Sequence, residues 1–299
     1  GDNKTYKTSK NEQIVGDEQS IITNTLYNND SIKTQTENNG KSVKTSLYSK
    51  LFDKTILESE EIEVSNKKTT FNLNIYGNSK AFEYIYDAAG NITEIKLGDQ
   101  TLYKYSYDVH GRITKELDYI NRKGCTYGYT STGNVAAKHK KTIDDEGNLK
   151  DDTDIKYSYE NNEWADQLTQ YNGQKITYDE VGNPIEYING EKFEWTRGRM
   201  LSNIIYSNDN RISYKYNNDG LRTHKETNEM SVDYEWDEFK LIREVVTYKV
   251  TGKKYDIWYF YDGNDEVIGF EYSQLNDIDG SLLKNRIYYE KNKQGDVIG

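Results

Sequence analysis

Along most of this chain apolar and polar residues alternate with a period of two, in short runs ended by Gly, Asn and Asp. Tyr84-Ile85-Tyr86, Tyr105-Ser106-Tyr107 and Tyr214-Lys215-Tyr216 are typical. Residues two apart on a strand point to the same face, so both tyrosines of each pair share one surface. Helical spacing does not persist beyond a few residues anywhere. The pattern predicts a nearly all-β chain of short antiparallel hairpins.

The alternation is also repetitive. Tyr84-Ile85-Tyr86-Asp87-Ala88-Ala89-Gly90-Asn91-Ile92 is followed by Tyr105-Ser106-Tyr107-Asp108-Val109-His110-Gly111-Arg112-Ile113. Tyr127-Gly128-Tyr129-Thr130-Ser131-Thr132-Gly133-Asn134 has Thr in the Asp place. Tyr178-Asp179-Glu180-Val181-Gly182-Asn183 and Tyr214-Lys215-Tyr216-Asn217-Asn218-Asp219-Gly220 complete the set. The second tyrosines are 21 residues apart from 86 to 107 and 22 from 107 to 129, and Trp195 to Tyr216 is 21 again. About twenty residues hold two strands and two turns at roughly 5–6 residues per strand, so each unit is one hairpin's worth of chain. The Asp carboxylate is placed to accept backbone N–H groups two residues on, and Gly supplies the positive φ of the reversal. Asn39-Gly40, Asn172-Gly173, Asn189-Gly190 and Asp219-Gly220 are further hairpin signals. The length has room for about two dozen strands.

Composition changes this picture only in detail. Tyr numbers 28 of 299 residues against 7 Phe, which suits a face packed at the ring and hydrogen-bonded at the hydroxyl. A mean hydropathy of −0.99 would fit a disordered chain, but disordered segments are poor in aromatics. A net charge of −11 disfavours nucleic-acid binding, which needs clustered Lys and Arg. The one dense basic run, Lys138-His139-Lys140-Lys141, is followed at once by acids and reads as a solvated hairpin.

These tyrosine-aspartate-glycine units resemble the YD repeats of the Rhs family, which includes bacterial polymorphic toxins, the C component of insecticidal toxin complexes, wall-associated proteins and, more distantly, teneurins. The resemblance runs from about residue 82 to the end. Asn292-Lys293-Gln294-Gly295-Asp296-Val297-Ile298-Gly299 is similar to the start of the Rhs-associated core, which implies a cleavage region beyond Gly299. The fold implied is a long antiparallel sheet that curls into a spiral shell or barrel, of which this chain would be a curved, open or partly closed segment. Residues 1–80, rich in Lys, Thr, Asn and Ser, are expected to form a polar, degenerate hairpin region, with the repeat sheet over 81–299. Residues 138–163 break the period, and a longer acidic hairpin loop is expected there.

Candidate chemistry is sparse. Cys125 is alone, so it forms no internal disulfide, and no Cys-x-x-Cys pattern exists. His110, His139 and His224 have no ligand spacing. With Gly147 or Gly280 set at the invariant glycine of an EF-hand loop, ligand positions 1 and 12 fall on Thr142 and Thr153 or on Leu275 and Arg286, so the match fails. No metal, no cofactor and no enzymatic activity are expected. No signal peptide is visible and no apolar run could form a transmembrane helix. Two functions remain from different classes. The family resemblance implies a structural scaffold, secreted or at the cell surface, whose tyrosine face encloses the C-terminal toxin segment of a larger protein. The alternative is an extracellular binding module for glycan or protein, with Trp164, Trp195, Trp236 and Trp258 as candidate contacts. Each Trp also fits as a packed member of the sheet, and Trp195 stands in the Tyr place of a degenerate repeat.

Overall fold

The computed structural model describes residues 11–15, 20–27, 32–38, 42–49, 53–261, 265–275 and 281–298. Its described residues form twenty-six strands in two antiparallel sheets, each strand paired with its neighbours in sequence. The first sheet has fifteen strands, from Asn11–Val15 to Gln174–Lys175, and the second has eleven, from Thr177–Tyr178 to Leu282–Tyr288. One residue separates them, Ile176, which is 3 % exposed and whose N–H reaches back to the Thr169 carbonyl at 2.9 Å. The change of texture at residue 80 falls inside the strand Asn78–Tyr86, and the sheet runs through it unbroken. Asn39-Gly40 lies outside the described residues.

The repeat turns form for local reasons. Asp87 Oδ1 accepts the N–H groups of Ala89 and Asn91, both at 2.9 Å, while Oδ2 accepts Asn91 Nδ2. Asp108 and Asp179 bind their own turns in the same way, and Asn217 does so through its amide oxygen. Thr130 substitutes a hydroxyl, which accepts Asn134 N–H at 3.0 Å. Gly90 and Gly182, at φ +86° in both, close two of these turns in a region that L side chains rarely adopt.

One expectation changes. The insertion at 138–163 is not a long loop: Val135–Ile143 and Leu149–Ser158 are extended strands joined by Asp144–Asn148, a further copy of the repeat turn in which Asp144 accepts Asn148 N–H at 2.7 Å. The irregular stretch comes later, at 159–169. In Asp219-Gly220 only Gly has positive φ, because this dipeptide closes a repeat turn; Asn172-Gly173 has both residues left-handed. Asn292–Asp296 also adopts the repeat turn, with Asn292 accepting Asp296 N–H at 2.9 Å.

Curvature enters through bulges. The pairing slips by one residue between Ile85 and Tyr86, between Gly128 and Tyr129, between Lys215 and Tyr216, and between Phe260 and Tyr261. Trp195 and Trp236 sit at the same slip in their strands. Each bulge raises the local twist and bends its strand, and its recurrence at every second aromatic makes the bending cumulative. The last strands thereby return to the first sheet. Phe260, 1 % exposed, packs against Leu47 and Ile56, and Lys80 pairs with Glu290 at 2.8 Å. The larger core cluster lies nearby in the first sheet, built on Phe71, Leu73, Phe82, Tyr84, Ile95 and Leu102.

Candidate functional site

Two kinds of aromatic position emerge from the repeat. From Tyr107 on, the second aromatic of the quoted units reaches back across the bulge to the preceding unit. Tyr107 Oη donates to the Ile92 carbonyl at 2.7 Å, Tyr129 to Ile113 at 2.6 Å, Tyr178 to Leu168 at 2.5 Å and Tyr216 to Leu201 at 2.8 Å. Trp195 Nε1 donates to Pro184 and Trp236 Nε1 to Arg222, both at 2.7 Å, so the indoles do the same work as the phenols. These aromatics latch repeat to repeat. Of the other two tryptophans, Trp258 lies under the Arg243 guanidinium at 5.0 Å. Trp164 is 46 % exposed, with its ring lying on the turn at Gly182.

The first aromatic of each unit belongs to a continuous surface, the tyrosine face. Register places Tyr84, Ile95, Tyr103, Asp118 and Lys123 in one row across five strands. Tyr105, Glu116, Cys125 and Lys140 form the next row, and Tyr127 pairs with Lys138 and through it with Ile155. Tyr103 and Tyr105 present stacked rings 6.5 Å apart, and Tyr127 Oη donates to Glu116 at 2.6 Å. In the second sheet Tyr214, Tyr234 and Tyr259 continue the surface around Glu244. The opposite face carries charge pairs such as Lys68–Glu83, Arg211–Glu194 and Arg286–Glu271.

The surface is aromatic but electrically neutral at its hydroxyls. Burial pushes the Tyr105 hydroxyl up to about 12 and Tyr261 likewise to about 12. Tyr84 moves up through burial, and Tyr127 through burial and its bond to Glu116. Burial also raises Glu244, against the opposing hydrogen bond from Tyr259. Near neutral pH these phenols are therefore protonated donors. Such a surface offers many weak aromatic and hydroxyl contacts. Among the described residues no group of His, Cys, Asp and Glu could hold a metal ion. Cys125 is half-buried. No helix among them is long and apolar enough to cross a membrane.

One segment of chain already lies on this face. After the last strand, Tyr289 N–H still bonds the Ile268 carbonyl, and Glu290–Ile298 then folds back as a short hairpin that crosses the rings of the first sheet. Lys293 is its anchor: Nζ donates to Tyr86 Oη and Glu61 Oε1, each at 2.8 Å, and its backbone N–H meets Tyr84 Oη at 3.4 Å. Burial opposes the ammonium's charge, but the bonds to Glu61 and Tyr86 outweigh it and lift Lys293 above its ordinary value. Beside this strap lies a cavity of about 620 Å³ walled by Phe82, Ile95, Leu102, Tyr103 and Tyr105 on one side and by Glu290, Asn292 and Asp296 on the other. Nothing in the sequence pattern signalled the strap, because its contacts are some two hundred residues distant in the chain.

Residues 86–119 match the sequence model of the RHS Repeat family. No curated protein matches the chain in sequence. Among solved structures, the chain is similar to a crystal structure of TcdB2-TccC3-TEV, with a TM-score of 0.58 at 14 % identity over 94 % of this chain and 17 % of that one. A crystal structure of TcdB2-TccC3-Cdc42 gives 0.55 at 12 % identity over 98 % and 19 %. A Photorhabdus luminescens Tc holotoxin pore gives 0.55 at 14 % identity over 94 % and 17 %. The chain thus spans less than a fifth of the length of each of these structures. Tandem turns, sequence match and shared architecture agree: residues 86–119 carry an RHS repeat, and the chain has the β-sheet fold of these solved structures.

Proposed function

We propose that the chain is a non-catalytic wall segment of an Rhs-type shell, part of a larger secreted bacterial protein, and that its tyrosine face encloses the C-terminal toxin region of that protein. The observation that carries this reading is the strap. A short hairpin closed by a repeat turn, Glu290–Ile298, is held on the tyrosine face by phenol hydroxyls, ring faces and one lysine. A surface that grips one segment lying across its strands in this way suits retention of more. The Tc assemblies named above share the fold, which supports the reading by analogy of architecture.

The test uses the full-length natural protein. Size exclusion, intact-mass measurement and limited proteolysis should yield a cleaved C-terminal fragment that co-elutes with the repeat region and resists protease. A C-terminal region digested as fast as the isolated fragment would overturn containment. A second reading, a surface module for glycan or protein, is favoured only by the exposure of Trp164. It predicts glycan-array binding that Trp164→Ala removes.

A further inference from the structure

The basic run Lys138-His139-Lys140-Lys141 divides between the two faces. His139 meets Asp154 at 2.6 Å and Lys141 meets Asp151, both on the charged face. Lys138 and Lys140, of opposite parity, stand on the tyrosine face with Lys123. There they line a groove of about 510 Å³ together with Tyr103, Tyr105 and Glu116. The stacked Tyr103–Tyr105 pair is shared between this groove and the apolar cavity of Phe82, Ile95 and Leu102, so the two are continuous across one aromatic ridge.

The groove's charges are unequally satisfied. Its carboxylates are bonded within the chain: Glu116 accepts the Tyr127 hydroxyl at 2.6 Å, Asp118 accepts Asn121 N–H and Nδ2 at 2.9 and 2.7 Å, and Asp152 accepts Thr153 Oγ1 at 3.3 Å. Of its four lysines only Lys141 is paired among the described residues, with Asp151. Among the described residues Lys123 and Lys140 have no carboxylate within ion-pair distance, and Lys138 has only the Tyr127 ring, at 5.1 Å. In a chain of net charge −11, three cations without an ion-pair partner beside an aromatic ridge form a site for an anion carrying an apolar neighbour.

We infer that the groove binds an extended polypeptide segment that is apolar at one end and acidic at the other. Its apolar side chains enter the Phe82–Leu102 cavity and its carboxylates lie on Lys123, Lys138 and Lys140. The row from Tyr105 to Lys140 crosses four strands, about 14 Å at roughly 4.8 Å per strand. An extended chain covers that in about four residues. A phosphate polymer fits less well, because the carboxylates of Glu116, Asp118 and Asp152 line the same groove. The inference deepens the containment reading, and rests on it only for identifying the segment as part of the enclosed cargo.

The experiment is fluorescence anisotropy on the full chain. The probe is a labelled synthetic peptide with two leucines followed, four residues on, by three glutamates. It should bind, and the double variant Lys123→Glu/Lys140→Glu should weaken it by about tenfold. Lys104→Glu, on the opposite face of the Tyr103 strand, should leave binding unchanged. Equal binding of a peptide with lysines in the glutamate places, insensitivity to the double reversal, an equal loss with Lys104→Glu, or tighter binding of a single-stranded oligonucleotide would each overturn the inference. In the full-length parent the double variant should speed proteolysis of the cargo. Undiminished protection there would overturn the groove and leave containment standing, whereas peptide binding by a parent that protects no cargo would overturn containment and leave the groove.

Discussion

Across the last strands of the second sheet, one register row reads Glu235, Arg243, Trp258, Glu271, Arg286, and the neighbouring row on the other face reads Tyr234, Glu244, Ile257, Tyr272. The first row is a ladder of alternating charge, with Arg243 bonded to Glu235 at 2.6 Å and Arg286 to Glu271 at 2.9 Å. The second sets a carboxylate among rings, where burial raises it. Solvent screens the Arg243–Glu235 end of the ladder, so that pair contributes little, about 0–1 kcal/mol, whereas Glu271 is buried and its pair with Arg286 is screened less. Packed rings and latching hydroxyls carry more energy per residue. The same backbone therefore carries a charged face and an aromatic face with different packing demands.

The contrast breaks most severely at Tyr84, 1 % exposed in the larger core cluster. Tyr84→Ala should cost about 3–5 kcal/mol and free the strap; urea unfolding and proteolysis after Lys293 measure the two effects, and an unchanged midpoint would mean the ring is not packed. Next comes a pair of turns. Gly90→Val should cost about 1–2 kcal/mol for left-handed backbone alone, since no atom lies within 4 Å of the added Cβ. Gly182→Val should cost more, because its Cβ would overlap the Trp164 ring, and the excess should vanish in a Trp164→Ala background. Persistence of the excess in that background would show that Trp164 is not its cause.

Smaller effects separate latch from ladder. Tyr107→Phe keeps the ring and removes only the bond to the Ile92 carbonyl, which should cost about 1 kcal/mol in thermal or urea unfolding. On the charged face, His224 bonds Asp233 at 2.6 Å and Glu226 at 3.1 Å, with Lys215 opposing. The bond to Asp233 raises its pKa above the ordinary value despite burial. Its contribution is therefore fully present below the unfolded value near 6.5 and is lost as pH rises through the folded one. The unfolding midpoint should fall between pH 6 and pH 9 by the equivalent of at most about 1 kcal/mol, and His224→Gln should remove that share of the fall. An identical pH profile for the variant would show that the ladder owes nothing to this histidine.

Much of this was legible along the chain. The turns at Asp87, Asp108, Asp179 and Asn217 are closed by bonds spanning four residues or fewer, so local spacing suffices to read them. The copies at Asp144 and Asn292 escaped recognition because their flanks lack the Tyr-x-Tyr pair, although the turn itself needs only the acceptor and the glycine. Trp195 and Trp236 were ambiguous between ligand contact and sheet member. What places them in the sheet is the carbonyl each indole reaches, 11 and 14 residues back.

Alternation, repeat length and turn chemistry are properties of neighbouring residues, and they settle that this chain is a sheet of tandem hairpins with an aromatic and a charged face. The closure of Phe260 onto Leu47 and Ile56, the grip of Tyr84 and Tyr86 on Lys293, and the satisfaction of Glu116 beside uncompensated Lys140 arise only in three dimensions. Each depends on twist accumulated strand by strand through recurrent bulges. A small angular increment per repeat is invisible in any one unit, yet summed over the sheets it decides which distant residues meet.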